Sequence, residues 1–311
     1  MKRPSILLSG LGGSLFPYLH DRIVGGFDPL YVDADASLRE LYPDLEFHPA
    51  PLVLAPEYPD FIKRLIREKG VEWYVPLIDE EILIANEIVR DTQCRLVSPA
   101  VEFSRLCLNK LDLMQKLEEF GISTIRSWRG DRVPSSAEYP LFVKPIFGRG
   151  SRGVFKLERP GQYRAYLELY DYQPHELIVQ EFIDGQEYTV GVLTNRGNDV
   201  MCISVRKVLS KKGVTVRAIT ENNPTLEETI ASIQCELKPC GPYNIQLYVT
   251  PDGEVKIFEI NPRFSTTLVM SYAGEIDELK LYTDHPDHYD GPIQRPRAGL
   301  GLRRSWQNNF L

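Results

Sequence analysis

Four polar side chains in the last quarter of the chain are of the types that handle phosphate groups. Gln246 lies in the segment NIQLYVT, and Glu259, Asn261 and Arg263 follow in FEINPR. Carboxylate and amide oxygens are the hard ligands that Mg²⁺ or Mn²⁺ takes in proteins. An arginine fork can bind two phosphate oxygens at once. The residue types therefore indicate a metal-assisted phosphate site, provided that the fold brings them together.

A β-hairpin between these two segments predicts that they meet. The intervening PDG is predicted to form a two-residue turn at Asp252-Gly253, which is a strong hairpin signal. That turn would pair Val249 with Lys256. Further along, it would place Gln246 opposite Glu259, with the Cβ atoms roughly 4.5–5.5 Å apart. The asparagine two residues later projects from the same face, because side chains alternate along a strand. The alternative is a solvated polar face on an edge hairpin.

The glycine-rich stretch GRGSRG, at Gly148–Gly153, fits two nucleotide-binding patterns at once, G-x-G-x-x-G and the outer glycines of a P-loop. A dinucleotide-binding loop must open a helix, whereas the following VFKLE alternates like a strand. A P-loop needs Lys-Ser/Thr where Val154-Phe155 stand. A kinase flap is excluded because H-R-D and D-F-G are missing and Lys144 precedes the loop. The remaining interpretations are a basic hairpin lid whose N–H groups close on phosphates and a mobile surface hairpin.

These residues need a scaffold, and the first hundred positions predict one of α/β type. Strand patterns in PSILLS, LYVDAD, WYVPLI and RLVS alternate with helix patterns in SLFPYLHDRIV and PDFIKRLIREKG. The second helix is predicted to end at Gly70. Its apolar stripe consists of Phe61, Ile62, Leu65 and Ile66. The alternation predicts a small, doubly wound parallel unit.

The rest of the chain predicts antiparallel β structure with a few helices, an α+β pattern. NKLDLMQKLEEFG is predicted to be a helix that ends at Gly121. From PLFVKP onward the segments LIVQEF, EYTVGVL, MCISVRKVL and VTVRAIT are strand-like, with a turn at Lys212-Gly213. One helix intervenes, beginning at Pro224 and running to Leu237. The sequence contains no internal repeat.

Composition and charge exclude several classes of function. A net charge of −7 and a pI near 5.4 argue against a general nucleic-acid binder. The sequence has no apolar run of the ~20 residues that a membrane span needs, and MKRPSILLSGLGGS is interpreted as a buried first strand rather than a signal peptide. The five cysteines never form C-x-x-C, so we expect reduced thiols and a cytoplasmic location.

Three motifs in a fixed order resemble a known family. KP-x2-GRGSRG, VQEFIDGQEYTVGV and NIQ…FEINPR are similar to the ATP-grasp superfamily, especially its short single-chain members related to carbamoyl-phosphate synthase large subunits. The similarity runs from the α/β unit to Arg263. It implies an ATP-grasp fold with an N-terminal pre-ATP-grasp domain at 1–107, a small lid subdomain at 108–183 and a large subdomain at 184–311. ATP and Mg²⁺ or Mn²⁺ are the implied cofactors.

The resemblance also implies a role for each matching position. Lys110 and Lys144 correspond to the lysines that hold the ATP phosphates, and Arg263 to the cation near the transferring phosphoryl group. Lys144 and Arg263 are thus the expected catalytic residues. The expected lid, hinge and ribose contacts are Gly148, Arg149, Gly150, Ser151, Gly153, Gln180, Glu181, Phe182, Ile183 and Glu187. The expected metal ligands are Gln246, Glu259 and Asn261. The amide of Gln246 at the first ligand position is the variant of carbamoyl-phosphate-synthase-like members.

The implied activity is an ATP-dependent carboxylate–amine ligase of amino-acid or peptide type, which forms ADP, phosphate and an acyl-phosphate intermediate. The alternatives are a carboxy- or carbamoyl-phosphate-forming component and a non-catalytic nucleotide-sensing module. The expected partners are small carboxylate and amine substrates. Neither nucleic acid nor a membrane is expected as a partner, and a homodimer is left open.

Two further patterns leave alternatives open. The glycines at 10, 12 and 13 with Asp33 resemble part of an NAD-binding fingerprint, but Leu15 occupies the third glycine position. Arg206, Lys207 and Arg217 flank the turn at 212–213. They could hold an anionic substrate, or they could form a solvated hairpin face.

Overall fold

Three β-sheets organise the chain in the computed structural model, which describes residues 2–16, 18–148, 150 and 152–305. The first sheet is parallel, and the other two are antiparallel. In the described part of the chain, no helix combines the length and the apolar character that crossing a bilayer requires.

The first sheet has the strand order of a doubly wound α/β unit. Its strands are β1 (Ser5–Ser9), β2 (Asp28–Asp33), β3 (Phe47–Pro49), β4 (Trp73–Val75) and β5 (Arg95–Leu96), in the order β3-β2-β1-β4-β5. Its helices are α1 (Tyr18–Ile23), α2 (Leu38–Leu41), α3 (Tyr58–Lys69) and α4 (Asp79–Val89). The predicted parallel α/β class is confirmed.

Helix α3 ends as the sequence predicts, and α4 is a helix that the sequence analysis missed. Gly70 follows α3 in the left-handed conformation, with φ 61°, which glycine adopts without steric cost. In α4 the buried residues Ile82, Ala85 and Ile88 recur at three-residue spacing, and three acidic residues fill its first turn. Acidic side chains at a helix N-terminus are favourable because they face the positive end of the helix dipole.

A buried carboxylate fixes the first turn of α4 on the sheet. Glu81 is fully buried and receives hydrogen bonds from the hydroxyls of Ser9, Tyr58 and Tyr74. Burial raises the pKa of Glu81, and the three hydroxyl donors partly oppose that shift. The donors come from β1, α3 and β4, so one side chain joins four elements at the carboxyl end of the sheet.

Replacing Glu81 by alanine is expected to destabilise the protein strongly. Glu81→Ala should lower the free energy of unfolding by about 2–4 kcal/mol, since each buried hydroxyl left without an acceptor costs about 1–3 kcal/mol. The unfavourable burial of the carboxylate offsets part of the loss. Urea denaturation would measure the change. Glu87→Ala, at an exposed position of the same helix, should stay within about 0.5 kcal/mol of wild type. Equal stability of the two variants would contradict the assignment.

The second sheet forms a small antiparallel layer. It consists of β6 (Ser127–Arg129), β7 (Leu141–Pro145), β8 (Phe155–Leu157) and β9 (Leu177–Glu181), in the order β6-β9-β7-β8. Helix α7 (Gly161–Tyr170) covers it. The predicted strand–glycine loop–strand arrangement corresponds to β7, the segment 146–154 and β8. Strand β6 was not predicted, because its three residues are too few for a periodic pattern.

The third sheet is the largest, with six antiparallel strands. They are β10 (Gln186–Thr194), β11 (Val200–Lys212), β12 (Val214–Thr220), β13 (Gly241–Val249), β14 (Val255–Asn261) and β15 (Gly301–Arg303), in the order β14-β13-β10-β11-β12-β15. The remaining helices of the described chain are α5 (Val101–Leu108), α6 (Lys110–Glu119), α8 (Pro224–Leu237), α9 (Val269–Ala273) and α10 (Glu278–Asp284). The predicted α/β plus antiparallel architecture of an ATP-grasp fold is confirmed.

Two cores join the sheets. One packs α5, α6 and α8 against one face of the six-stranded sheet. The other joins the parallel sheet to α9, α10 and the six-stranded sheet. The division into 1–107, 108–183 and 184–311 remains our proposal. In that division α6, although it opens the middle segment, packs on the large sheet.

The hairpin of β13 and β14 differs from its predicted register near the turn. Val249 pairs with Val255, so the predicted pairing with Lys256 is wrong. The loop has three residues rather than two, because the Gly253 N–H donates to the Thr250 carbonyl (2.9 Å) and Gly253 has a φ of 90°. A proline-containing turn followed by a left-handed glycine is typical of three-residue hairpin loops.

A bulge restores the predicted register where the polar residues lie. Between Gln246 and Leu247 the pairing shifts by one residue, so Gln246 lies opposite Glu259 and Asn244 opposite Asn261. Without this shift, every β14 side chain beyond the bulge would project from the other face of the sheet relative to β13. The bulge therefore keeps the three predicted metal ligands on one face.

Candidate active site

A cleft of about 300 Å³ is lined by residues of the small and the large antiparallel sheets. Its volume is at the lower end of the range typical of small-molecule sites. Most of the residues predicted from the sequence line it. They are Lys110, Lys144, Gly148, Gly150, Gln180, Glu181, Ile183, Glu187, Gln246, Glu259, Asn261 and Arg263.

Of the other four predicted residues, the structure describes only Gly153 and Phe182, and neither lines the cleft. Arg149 and Ser151 lie outside the described residues. Gly153 does not line the cleft but supports the loop from behind, as described below. The Phe182 ring packs near Phe142, with centroids 6.0 Å apart, and Phe182 does not line the cleft.

The cleft is more positive than the chain that contains it. Among the described lining residues, cationic side chains outnumber carboxylates by five to three, in a chain whose net charge is −7. The cations are Lys110, Lys144, Arg152, Lys211 and Arg263, and the carboxylates are Glu181, Glu187 and Glu259. An excess of cations between low-dielectric walls attracts anionic ligands.

Lys110 holds the beginning of the glycine loop. The preceding Asn109 caps α6, because its side chain accepts hydrogen bonds from the first-turn N–H groups of Leu111 and Asp112. This cap places Lys110 at the mouth of the cleft, where its ammonium donates to the carbonyls of Ile146 (3.3 Å) and Gly148 (2.7 Å). Both acceptors are neutral carbonyls, so these two contacts do not offset the positive charge of Lys110.

Lys144 is a buried cation on β7. Its Nζ lies 3.5 Å from the Phe258 carbonyl and 3.8 Å from a carboxylate oxygen of Glu259. Burial lowers the pKa of Lys144 to about 8; Glu259 opposes the shift, and Lys110 and Lys211 add to it. A phosphate placed beside Lys144 would favour the charged form.

Gln246, Glu259 and Asn261 share one face of the large sheet and all line the cleft. The Asn261 amide nitrogen donates to Asn244 Oδ1 at 3.5 Å, which leaves the Asn261 carboxamide oxygen as an acceptor. Asn244 also donates to the Arg263 carbonyl at 2.9 Å. The asparagine pair thus fixes the end of β14 and the start of the segment that carries Arg263.

Lys211 is a site residue that the sequence analysis did not assign. Its ammonium lies 2.7 Å from Glu187 Oε1 and 3.0 Å from Gln246 Oε1. It belongs to β11, near the turn at Gly213. The sequence signal was the pair of lysines directly before that glycine, on a hairpin for which substrate binding and a solvated face had both been left open.

The donor set fits Mg²⁺ completed by phosphate oxygens. In the described part of the chain no three His, Cys, Asp or Glu side chains form a group that could hold a metal, so a zinc-type site is not built here. One carboxylate and two amides suit a hard cation that takes its remaining ligands from water and phosphate. Because Lys211 contacts Gln246 Oε1, its ammonium would have to move when a cation binds there.

The predicted hinge lies at the end of β9. The Glu181 carboxylate accepts the Arg126 N–H (2.8 Å) and its backbone N–H donates to the Arg126 carbonyl (3.0 Å). Gln180 is buried and donates to Ser127 Oγ (3.0 Å). In the described chain no acceptor engages the Ile183 N–H. Since Ile183 lines the cleft, its N–H is a candidate donor to a ligand bound there.

Arg206 is a case in which the sequence interpretation is wrong. It is 1% exposed, and its guanidinium donates to Ser204, Thr267 and Ser271 and lies 3.6 Å from Glu278. It is therefore a buried structural cation that cannot reach a substrate in this conformation. Lys207 and Arg217 do not line the cleft either.

Arg263 follows β14 and points into the cleft from the side of the parallel sheet. Its Nε donates to the carboxylate of Asp79, the first residue of α4, and one Nη donates to the Phe264 carbonyl at 3.3 Å. No local pattern in the sequence indicated Asp79, because it lies 184 positions from Arg263.

A tyrosine of α7 supports the glycine loop from behind. The Tyr166 hydroxyl donates to the Gly153 carbonyl at 2.6 Å. Gly153 has a φ of 68°, and a Cβ there would lie 3.1 Å from Pro145 and 3.3 Å from the Tyr166 hydroxyl. Glycine is therefore required on both conformational and steric grounds.

Removing this hydroxyl should loosen the loop. For ATP, the ligand that the sequence resemblance implies, we expect Tyr166→Phe to raise the apparent KM by roughly 2–10-fold, since a hydrogen bond contributes about 0.5–1.5 kcal/mol net. Steady-state ADP formation would measure it. Tyr170→Phe is the matched control, because the Tyr170 ring packs on Tyr166 in a tilted arrangement but its hydroxyl has no hydrogen bond within the described chain. An unchanged KM in Tyr166→Phe would show that the loop does not depend on this bond.

Comparison with protein families finds one matching profile. Residues 173–309, less than half of the chain, match the family described as "ATP-grasp in the biosynthetic pathway with Ter operon". This match covers the large sheet together with the segments that carry Glu187, Gln246, Glu259, Asn261 and Arg263.

Curated proteins with similar sequences include ligases and a synthase. D-alanine–D-alanine ligase of Flavobacterium johnsoniae is 30% identical over 34% of this chain and 35% of its own. D-alanine–D-alanine ligase A of Chromobacterium violaceum is 26% identical over 61% of this chain and 51% of its own. The carbamoyl phosphate synthase arginine-specific large chain of Geobacillus stearothermophilus is 26% identical over 42% of this chain and 13% of its own. The matches thus span about half of these proteins or less.

Solved structures match nearly the whole chain. Biotin carboxylase of Campylobacter jejuni superimposes with a TM-score of 0.75 at 16% identity, over 93% of this chain and 72% of that one. L-amino acid ligase of Bacillus licheniformis gives 0.67 at 16% identity, over 87% and 70%. At this identity the likeness establishes the fold, which is that of ATP-grasp proteins.

Proposed function

Because this chain belongs to the ATP-grasp superfamily, we propose that it is an ATP-dependent carboxylate–amine ligase that forms ADP and phosphate. The observation that carries the proposal is the pairing of Gln246 with Glu259, with Asn261 on the same face and the Lys144 ammonium 3.8 Å from Glu259. A nucleotide-sensing module would need the cations but not this set of metal-ligand oxygens.

The proposed reaction activates a carboxylate, which is a poor electrophile while it is anionic. A carboxylate oxygen attacks the γ-phosphorus of ATP, and the bond from that phosphorus to the β–γ bridging oxygen breaks to release ADP. The amine nitrogen then attacks the carbonyl carbon of the acyl phosphate. The carbon–oxygen bond to phosphate breaks, phosphate leaves, and the amine loses a proton to solvent.

The side chains of the cleft would stabilise charge and hold geometry. Phosphoryl transfer needs charge neutralisation and in-line positioning more than covalent help. Lys110 and Lys144 would neutralise ATP phosphates, and Arg263 would face the transferring group. Gln246, Glu259 and Asn261 would hold Mg²⁺, which neutralises phosphate charge when bound. The glycine loop would exclude water that would otherwise hydrolyse the acyl phosphate.

An amino acid on at least one side of the new bond is supported by the similarity to D-alanine–D-alanine ligases. A second candidate, a carboxy- or carbamoyl-phosphate-forming enzyme, is favoured by the amide of Gln246 at the first metal position and by the similarity to a carbamoyl phosphate synthase. The two differ in the carboxylate that receives the phosphoryl group, an organic acid or bicarbonate.

One experiment separates these functions. The protein and Mg·ATP are mixed with one candidate acceptor at a time, taken from a panel of amino acids, small carboxylates and bicarbonate. Each acceptor carries ¹⁸O in its carboxyl or bicarbonate oxygens, and the ADP and phosphate that form are measured. A ligase should transfer one ¹⁸O from an organic carboxylate to phosphate and form a hydroxamate with hydroxylamine. Label transfer from bicarbonate alone would favour the second candidate. Binding of Mg·ATP with no ADP from any acceptor would favour a sensing module, and thermal stabilisation by NADH but not by Mg·ATP would favour an oxidoreductase.

A further inference from the structure

One side chain of the parallel α/β unit, Asp79, contacts Arg263 in the cleft. Asp79, at the start of α4, accepts a hydrogen bond from the Arg263 Nε. The two side chains are 9% and 18% exposed, respectively. Solvent screening is weak at such positions, so this ion pair is stronger than an exposed one.

Asp79 and the cleft face different nitrogens of the Arg263 guanidinium. Asp79 binds Nε, and the Phe264 carbonyl accepts from Nη1 at 3.3 Å. No acceptor in the described part of the chain engages Nη2, and Arg263 lines the cleft while Asp79 does not. The Nη edge is therefore the one left for an anionic ligand, and Asp79 determines which edge that is.

Asp79 is itself held rigidly. It stands in the first helical turn of α4, and Glu81 in the same turn accepts hydrogen bonds from three hydroxyls of β1, α3 and β4. The positive end of the helix dipole favours a carboxylate at this position. The carboxylate is thus a fixed point of the parallel sheet, against which the longer and more flexible arginine side chain is oriented.

We propose that Asp79 is a positioning residue for phosphoryl transfer: through Asp79, the N-terminal α/β unit directs the Nη edge of Arg263 at the transferring phosphoryl group and the acceptor carboxylate. This inference rests on the proposed ligase function. Displacing a charged group by about 1 Å from its productive position can cost about 10²-fold in rate. The chemistry in the antiparallel cleft therefore depends on a side chain of the parallel sheet.

The test uses hydroxamate formation with the carboxylate found in the panel above. Asp79→Ala is expected to lower kcat about 10²-fold with the KM for ATP within about 2-fold of wild type, because ATP binding itself does not need the oriented edge. Asp79→Asn keeps an acceptor oxygen for Nε and should lose less. Glu227→Gln, which breaks the bidentate pair with Arg295 away from the cleft, is the control and should match wild type.

A double variant separates positioning from general structure. Adding Asp79→Ala to Arg263→Ala should change kcat by no more than about 2–3-fold beyond Arg263→Ala alone, because residues that act as a unit are not additive. Independent, additive losses would overturn the proposal, as would wild-type kcat in Asp79→Ala.

A spectroscopic measurement keeps the inference testable apart from activity. The ¹⁵N–Hε signal of Arg263, assigned by its loss in Arg263→Lys, should be protected from exchange in wild type and unprotected in Asp79→Ala. If wild type forms no hydroxamate with any carboxylate, the proposed ligase function fails and the role in phosphoryl transfer falls with it. Equal Nε–H protection in both proteins would instead overturn the orientation of Arg263 by Asp79, whatever the activity.

Discussion

Glu259→Gln is expected to lower the turnover of ADP formation by about 10²-fold or more, the scale seen when one preorganised transition-state contact is lost. The substitution keeps the size of the side chain but removes the only carboxylate of the proposed metal set. It also removes the negative charge 3.8 Å from the Lys144 ammonium. Both changes weaken the charge balance around the transferring phosphoryl group.

The control for this variant lies on the same hairpin. Glu254→Gln changes an exposed carboxylate that pairs with Lys256 and should leave turnover unchanged. Circular dichroism and thermal unfolding would verify that both variants fold. Near-normal turnover of folded Glu259→Gln, at saturating ATP and Mg²⁺, would exclude the metal assignment.

Lys144→Met is expected to weaken ATP binding by roughly 10–100-fold. A hydrogen bond to a charged group contributes about 1.5–3 kcal/mol, and 1.4 kcal/mol corresponds to a factor of ten in affinity. Methionine fills the space of the lysine stem, so the loss reports on the charge. Because Lys144 is only 6% exposed, bulk water can hardly replace the missing cation.

Titration calorimetry with a non-hydrolysable ATP analogue would measure this affinity without an acceptor. Lys156→Met is the matched control, since Lys156 lies on the neighbouring strand β8, is partly exposed and pairs with Glu158. Wild-type affinity in Lys144→Met, or an equal loss in both variants, would exclude a specific phosphate contact.

The strand patterns and turn residues of the sequence predicted most of the large sheet, because both depend on residues only a few positions apart. The hairpin that carries Gln246 and Glu259 illustrates the limit of this reasoning. A two-residue turn predicted their pairing, whereas the protein uses a three-residue loop and a bulge whose effects on the register cancel. The prediction for this pair was right, although the predicted turn was wrong.

The glycine stretch illustrates the opposite case, in which flanking sequence corrected a misleading pattern. G-x-G-x-x-G by itself indicates a dinucleotide-binding loop, but a strand after it excluded that fold, and β8 begins at Phe155. Tyr166, which supports the loop at Gly153, lies 13 residues further along on a helix that the sequence analysis did not identify. Its contact depends on how α7 packs on the small sheet.

The sequence by itself predicted most strands of the large sheet, the order of the motifs and the pairing of Gln246 with Glu259 across β13 and β14. The tertiary structure alone decided that Lys211 enters the cleft, that Arg206 is buried away from it and that Asp79 holds Arg263. Strand alternation and turn chemistry act over short separations in the chain. A contact between residues 184 positions apart arises only when two sheets pack together, and no local pattern encodes where they meet.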